Sequence, residues 1–177
     1  MDTNESDPRA EARADLCPDG RISRSTQDRD GHLVVDLENY VPHLLSAVNN
    51  TLSRGASQEY LDRFDIGIVE WRVMSMLAIE PRIQATQICE IIKIDKGAAS
   101  RALSRLDEKG LVEHEVLASD PRKRIWWLSK SGLELHETIL QLALGRERRL
   151  ITGIDPRDLE AFLRAIRIMT RNVEAMR

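Results

Sequence analysis

Apolar residues recur at intervals of three and four positions along most of the chain after residue 36, which is the spacing of one face of an α-helix. Residues that begin or end helices divide this pattern. Asp95 and Asp155 are suited to the start of a helix, and Gly110 is suited to the end of one. The pattern predicts six helices, over residues 37–54, 68–79, 86–92, 98–109, 132–150 and from 156 towards the end of the chain.

Two of these helices have specific start signals. Asp36 is expected to cap the first helix, because its carboxylate can accept from a free backbone N–H. Ser131 and Glu134 have the spacing of a capping box for the fifth helix. Residues 60–65 are expected to lead into the second helix rather than to continue the first.

Between the fourth and fifth helices, the hydrophobic pattern changes to that of short strands. Leu111–Val116 and Ile125–Leu128 are expected to pair as a hairpin, with the charged segment Ser119–Arg124 at its tip. Trp126 should face the core and Trp127 the opposite side, because neighbouring residues on a strand alternate. A helix, a turn, a second helix and a hairpin in this order predict a winged helix-turn-helix.

The predicted helix over residues 98–109 has one apolar and one polar face. Its apolar face consists of Ala99, Ala102, Leu103 and Leu106. The polar face carries Ser104 between Arg101 and Arg105, and guanidinium groups match both the acceptor edge of guanine in a major groove and phosphate oxygens. The hairpin tip adds three more cations, Arg122, Lys123 and Arg124, which could reach a minor groove or the backbone. Two basic surfaces on consecutive elements predict a polyanionic partner.

Several motifs of this segment resemble those of the MarR family of bacterial transcription regulators. The resemblance covers roughly residues 36–177, and the matching motifs are Asp95-Lys96, Ser100-Arg101, the run from Leu106 to Val112, Asp120-x-Arg122 and Leu128-Ser129-x-x-Gly132. In that family an arginine of the wing enters the minor groove and an aspartate holds it, which implies these roles for Arg122 and Asp120. The predicted DNA-binding residues are therefore Lys96, Ser100, Arg101, Ser104, Arg105, Asp120, Arg122, Lys123 and Arg124.

The net charge of −3 alone would argue against a nucleic-acid ligand, but the charge is unevenly placed. Residues 1–32 contain five Arg and eight Asp or Glu, so the rest of the chain is neutral overall. Local clustering of cations therefore decides DNA binding here. The polar composition of residues 1–32 predicts a flexible tail, because such a segment buries too little apolar surface to offset its ordering entropy. A strap over a partner subunit is the alternative.

A chain of 177 residues, 42% hydrophobic and 31% charged, suits one globular domain. The fold class expected is mainly α with a small β-hairpin wing. Residues 33–177 would form a MarR-like domain, with dimerisation helices in 33–56 and 131–177 and a winged helix-turn-helix lobe in 60–130. No membrane span or signal peptide is evident, so a cytoplasmic protein is expected.

The first, fifth and sixth helices are apolar over more surface than a small winged core could cover. They are therefore expected to pair with the same helices of a second chain in a two-fold homodimer, and the family resemblance implies the same assembly. A two-fold protein should recognise a pseudo-palindromic operator with half-sites about one helical turn apart.

No motif for an enzyme, a cofactor or a metal site is present, so a non-enzymatic protein without cofactor or metal is expected. Cys17 and Cys89 lack the spacing of a metal site or a disulfide framework. Cys89 is expected to be a buried, inert thiol, and Cys17 to be exposed.

The resemblance implies a repressor that is released by an aromatic acid, a phenolic compound or a thioester. His43, Trp71 and Arg72 are the candidate effector-binding residues, because a cation beside an aromatic ring suits an anionic aromatic ligand. Two alternatives remain open. One is a redox-responsive or constitutive DNA-binding regulator without an organic ligand. The other is a protein-interaction module or enzyme subunit with a winged fold.

Overall fold

The computed structural model describes residues 20–117 and 120–176, apart from the side chains of Pro121 and Arg122. The described residues form six helices: α1 Val41–Phe64, α2 Ile68–Ile79, α3 Ala85–Ile92, α4 Lys96–Glu108, α5 Lys130–Leu150 and α6 Pro156–Ala175. The five strands are β1 Thr26–Arg29, β2 His32–Val35, β3 Ile83–Gln84, β4 Val112–Leu117 and β5 Asp120–Leu128. The chain divides after Glu59 into two units.

In the first unit, β1 and β2 form an antiparallel hairpin. Its turn is Asp30-Gly31, and both residues have positive φ, 55° and 79°, as the preferred two-residue hairpin turn requires. The prediction of a structureless tail up to His32 is therefore wrong for Thr26–His32. The Asp-Gly signal was present in the sequence and predicts this turn. Residues 1–19, which include Cys17, lie outside the described part.

The first predicted helix, 37–54, was wrong at both ends, because α1 begins at Val41 and ends at Phe64. Asp36 does not cap α1. Its carboxylate instead accepts from the backbone N–H of Glu38 at 3.0 Å and from the side-chain amide of Asn39 at 2.7 Å, which organises the preceding turn. At the other end the helix continues through Gly55, since a glycine inside a helix costs only about 1 kcal/mol.

The second unit, residues 60–176, has its core between α2, α3, α4, α5 and a three-stranded antiparallel sheet. α2 begins and ends where the sequence predicted. The strand order is β3-β5-β4, and β3, a two-residue strand, was not predicted. The residues that fill this core are Val73, Met74, Leu77, Ile88, Leu103, Leu106, Val112, Trp126, Leu128 and Ile139.

The wing is the hairpin of β4 and β5, in which Val112 pairs with Leu128. The predicted charged tip at Ser119–Arg124 is wrong, because Asp120–Arg124 already belong to β5. The basic residues therefore lie along a strand, while Ala118 and Ser119 fall outside the described residues. Trp126 faces the core and Trp127 the other side, as predicted.

The start of α5 is fixed by Ser129 and not by the predicted capping box at Ser131. The Ser129 hydroxyl accepts from the backbone N–H of Gly132 at 3.0 Å and donates to the carbonyl of Gly110 at 2.8 Å. The hydroxyl of Ser131 also donates to that carbonyl, at 3.1 Å. This cap joins the beginning of α5 to the end of the α4 region.

At the last helix, Asp155 accepts from the backbone N–H of Arg157 at 2.8 Å, and Pro156 occupies the first helical position, as the sequence predicted. Within α6, all of which is described, no residue is buried. Phe162, Ile168 and Val173 are each about half exposed. Across the residues that the structure describes, no helix combines the length and apolarity needed to cross a membrane.

Candidate nucleic-acid interface

The polar residues of α4 are placed by a tight turn between α3 and α4. Lys93 ends α3 with a left-handed backbone, φ 56° and ψ 48°. Asp95 then caps α4, and its carboxylate accepts from the backbone N–H of Ala98 at 2.8 Å. This cap satisfies one of the free N–H groups that every helix start has. The predicted helix-turn-helix is thereby observed, with α4 in the position of a recognition helix.

The two faces of α4 are those that the sequence predicted. Ala99, Ala102 and Leu106 are fully buried, and Leu103 is 2% exposed. The opposite face, which is exposed to solvent, carries Lys96, Ser100, Arg101, Ser104 and Arg105. Burying the small apolar face presents these polar side chains together on one surface.

Arg101 lies over the start of α4. A Cβ atom placed on Gly97 would come within 3.1 Å of Nη1 of Arg101 and of Oδ1 of Asp95. The absence of a side chain at Gly97 therefore leaves room for the guanidinium group beside the helix N-terminus. Side chains of a helix point towards its N-terminus, which is the direction that Arg101 takes.

Arg105 has a second contact that sequence reasoning missed. Its Nε forms an ion pair with Oε1 of Glu70 on α2, and Glu70 is only 3% exposed. The other carboxylate oxygen of Glu70 accepts from the backbone N–H of Gly67. The Arg105 side chain itself remains 55% exposed, so it is partly a structural ion-pair partner and partly a surface cation.

On the wing, Lys123 and Arg124 are exposed along β5, and Asp120 is half-buried. The Arg124 guanidinium lies 5.9 Å from the ring centroid of Trp126, within the range of a cation–π contact. The side chain of Arg122 lies outside the described part, so its predicted place in a minor groove stays a prediction.

A groove of about 440 Å³ separates α4 from the wing. It brings together four predicted DNA-binding residues, Ser100 and Ser104 from α4 with Lys123 and Arg124 from β5. Asp107 and Glu108 also line it, so this groove is not uniformly positive. Polar donors from two elements therefore converge on one surface that is open to a ligand.

The predicted effector residues divide between the two units. His43 is exposed on α1, in the first unit. Trp71 and Arg72 are half-buried on α2, in the second unit. The Trp71 ring stacks on His136 of α5, with centroids 5.1 Å apart and planes at 18°, and meets the edge of Tyr60 at 5.9 Å. His136 was not among the residues singled out from the sequence, so this cluster was missed.

His136 predicts a pH dependence of stability. Burial lowers the pKa of His136 below its ordinary value of 6.5, and the nearby Glu137 carboxylate opposes this only in part. The unfolded chain then takes up the proton first, so stability should fall as the pH drops through 6.5 towards the lowered pKa of the folded state. His136→Phe keeps an aromatic ring and removes the titration. Between about pH 7.5 and pH 5.5, this variant should lose less free energy of unfolding in urea than wild type does. An equal loss in both proteins would contradict the assignment.

Cys89 differs from its prediction, since it is half-exposed and not buried. It lies on α3 directly after Ile88, which is completely buried. One residue turns a helix by about 100°, so the step from Ile88 carries Cys89 to the edge of the core.

Comparison with known proteins matches the chain to transcription regulators. Residues 64–123 match the profile of the MarR family. The chain is 24% identical to the transcriptional regulator HosA of Escherichia coli over 105 residues, which is 59% of this chain and 78% of HosA. It is 26% identical over 109 residues to the HTH-type transcriptional regulator PetP of Rhodobacter capsulatus, covering 62% of this chain and 66% of PetP.

The fold also matches solved structures. A MarR/EmrR family transcriptional regulator from Acinetobacter sp. ADP1 superposes with a TM-score of 0.73 and 25% identity, covering 80% of this chain and 99% of that one. Wild-type apo MarR of E. coli gives a TM-score of 0.61 at 23% identity, covering 73% of this chain and 95% of MarR. In both sequence and fold, the chain is therefore similar to MarR-family transcription regulators.

The matched profile shows which part of the chain resembles the MarR family. It spans α2, α3, α4 and β4, and it ends at Lys123 in the wing. The turn, the recognition helix and most of the wing therefore lie inside the matched region. The relatives reported above are transcription regulators rather than enzymes.

Proposed function

We propose that the protein binds a pseudo-palindromic duplex DNA operator as a homodimer and represses transcription until a small aromatic effector releases it. The observation that carries this proposal is the surface of α4. Its buried apolar face directs Lys96, Ser100 and Arg101 outward, and Lys123 and Arg124 of the wing follow on the neighbouring strand. An α-helix fits the major groove, and cations beside it can hold the phosphate backbone.

The homodimer is supported by the exposed apolar residues of the last helix. Phe162, Met169 and Val173 recur at helical spacing on α6, and none of them is buried in the single chain. A helix with one apolar stripe is stable when that stripe packs against another element. Two copies related by a two-fold axis would cover it and would present two recognition helices to DNA.

Selection from a library of random-sequence duplexes tests this function. Purified protein should enrich one sequence family with two inverted half-sites, spaced about 10 base pairs from centre to centre. The enriched duplex then serves as the operator probe in the experiments below. No enrichment, or enrichment of a single half-site without symmetry, would refute the proposed dimeric recognition.

Arg101→Ala should weaken binding of the selected duplex about 5-fold to 150-fold for each of the two copies, since a direct base contact of this kind is worth about 1–3 kcal/mol. Fluorescence anisotropy on labelled duplex measures the change. Arg148→Ala is the control, because Arg148 is exposed near the end of α5 and its loss removes the same charge. Equal effects of both substitutions would show that only total charge matters and would exclude a specific contact by Arg101.

The effector proposal rests on the cluster around Trp71. Its half-buried ring, stacked on His136, offers a flat apolar surface, and the cationic Arg72 is its neighbour on α2. Such a combination suits an aromatic acid, a phenolic compound or a thioester of an aromatic acid. An effector acts only through a difference in affinity between the DNA-bound and free states.

A panel of aromatic acids, phenols and thioesters, screened by thermal shift, tests the effector. At least one compound should raise the melting temperature and release the selected duplex from wild-type protein, and it should do neither with Trp71→Leu. Release by an oxidant but by no compound of the panel would instead favour redox control through the half-exposed Cys89.

A further inference from the structure

We infer that Glu70 is a positioning residue for DNA recognition, because it holds the Arg105 guanidinium of the recognition helix in a fixed direction. This inference rests on the proposed DNA-binding function and adds to it a buried residue that is not itself part of the predicted interface. Glu70 lies on α2, within the core, and reaches Arg105 on α4. It would act on DNA only through that arginine.

The carboxylate of Glu70 is itself held in place. It is 3% exposed, and its two oxygens are divided between two donors, Nε of Arg105 and the backbone N–H of Gly67. A buried carboxylate needs such partners, because removal from water without them is costly. Gly67 is the N-cap of α2, so the anchor is attached to the start of a helix.

The helix that carries Glu70 is fixed on its other side as well. Trp71, the next residue, stacks on His136 of α5. Consecutive residues of α2 thus contact α4 and α5, and the Glu70 carboxylate cannot move without disturbing one of these contacts. The arginine is paired with a rigid acceptor rather than with a mobile surface side chain.

The geometry of the ion pair leaves most of the guanidinium available. Arg105 uses Nε towards Glu70, and a guanidinium group has further donors on its two Nη atoms. The side chain is 55% exposed, on the face that also carries Arg101 and Ser104. An arginine that is already ordered loses less conformational freedom when it binds phosphate or a base edge.

A second ion pair joins the end of α4 to the segment just before α2. Lys109, which caps the end of α4, binds the Asp65 carboxylate at 2.9 Å and also donates to the Asp65 carbonyl. The Asp65 side chain is highly exposed, so this pair contributes little stability, but it links the same two regions of the chain. Asp65→Asn is therefore a matched control: it removes a carboxylate that pairs with a cation at the end of α4.

The test is a double-mutant cycle on the selected duplex, measured by anisotropy at three salt concentrations. Glu70→Gln retains the shape of the side chain and an oxygen for the Gly67 N–H, but it lacks the charge that orients Arg105. It should weaken binding about threefold to tenfold for each of the two copies, which is the cost of ordering one long side chain. The salt slope should not change, because the arginine keeps its charge.

In an Arg105→Ala background, Glu70→Gln should have no further effect on DNA affinity, whereas Arg105→Ala alone should make the salt slope shallower by about 2, which is about 1 for each copy in the proposed dimer. Asp65→Asn should bind like wild type. Circular dichroism and thermal unfolding show which variants are folded at the assay temperature. If Glu70→Gln is not folded, Arg105→Lys replaces it in the assay, since lysine keeps the charge but lacks the Nε that pairs with Glu70. Arg105→Lys should then weaken DNA binding as much as is expected for Glu70→Gln, without a change in the salt slope.

Three outcomes would overturn the inference. The first is that Glu70→Gln, or Arg105→Lys where it takes its place, binds the duplex as tightly as wild type. The second is that Glu70→Gln weakens DNA binding as much in the Arg105→Ala background as in wild type. The third is that Asp65→Asn weakens DNA binding as much as Glu70→Gln does. Failure of the wild-type protein to enrich or bind any duplex is a different result. It would refute the proposed function itself, and the role of Glu70 with it.

Discussion

Gly132→Ala should lower the midpoint of thermal unfolding by about 10 °C or more, and it is the most destabilising single substitution that we expect. A Cβ atom at this position would lie 1.9 Å from the carbonyl oxygen of Leu111 and 2.9 Å from its carbonyl carbon. Both are backbone atoms, so rotation of a side chain cannot relieve the overlap. Overpacking commonly costs about 1–3 kcal/mol and occasionally more, and in a protein of this size each kcal/mol shifts the midpoint by about 2–4 °C.

The overlap falls at the junction between the recognition helix and α5. The Leu111 carbonyl already accepts from the backbone N–H of Ser129 at 3.1 Å, and Ser129 caps α5. Moving Leu111 away from an alanine at position 132 would therefore disturb that cap. It would also disturb the chain immediately after Gly110, where the α4 region ends. The glycine is required because α5 begins in direct contact with this backbone.

Gly145→Ala provides a matched control within α5. A Cβ atom at this position would meet only Nη2 of Arg148, at 3.8 Å, which is an ordinary contact. Alanine is a better helix former than glycine by about 1 kcal/mol, so this variant should be as stable as wild type or more so. Differential scanning calorimetry compares the two variants. Equal melting temperatures would contradict the close approach of Gly132 to Leu111.

Phe162→Glu should convert the protein from a dimer to a monomer at micromolar concentration. Phe162 is 54% exposed in the single chain and lies on the apolar stripe of α6 with Met169 and Val173. A carboxylate on each copy would be buried in the proposed interface without a partner, which is strongly unfavourable. Sedimentation velocity measures the change in mass.

The same substitution should weaken binding of the selected duplex about 100-fold or more, because simultaneous engagement of two half-sites multiplies affinity by about 10²–10⁴. Ala161→Glu adds an identical charge at an exposed position that points away from the stripe, and it should remain dimeric. A Phe162→Glu protein that is still a dimer would place the interface elsewhere. A monomer with unchanged affinity would show that recognition does not need two copies.

Local sequence signals were sufficient for most of the helix-turn-helix. The ends of α2 and the buried face of α4 follow from hydrophobic period and from residues such as Asp95 that cap helices. These effects act within a few residues and are therefore visible in a short window of sequence. The alternation of Trp126 and Trp127 on β5 is another local property, and it was predicted for the same reason.

The Asp30-Gly31 turn was a local signal that was overlooked, but other features were missed because contacts between distant residues decide them. The spacing of apolar residues in α2 predicts its apolar face, but it does not predict that the charged Glu70 is buried. The partner that makes this burial possible, Arg105, lies on another helix. The stacking of Trp71 on His136 is likewise a contact between separate elements. The capping of α5 by Ser129 instead of Ser131 depends on the Gly110 carbonyl, which tertiary packing brings to this point.

The central claim is that a chain of net charge −3 binds duplex phosphates through cations concentrated on α4 and the wing. The salt dependence of DNA binding tests this claim most directly. The affinity of the wild-type protein for the selected duplex should be measured over a series of salt concentrations. Two copies that each contribute about three or more phosphate contacts predict a slope of log K against log salt of about −5 or steeper. A slope shallower than about −2, or no binding at low salt, would contradict the account.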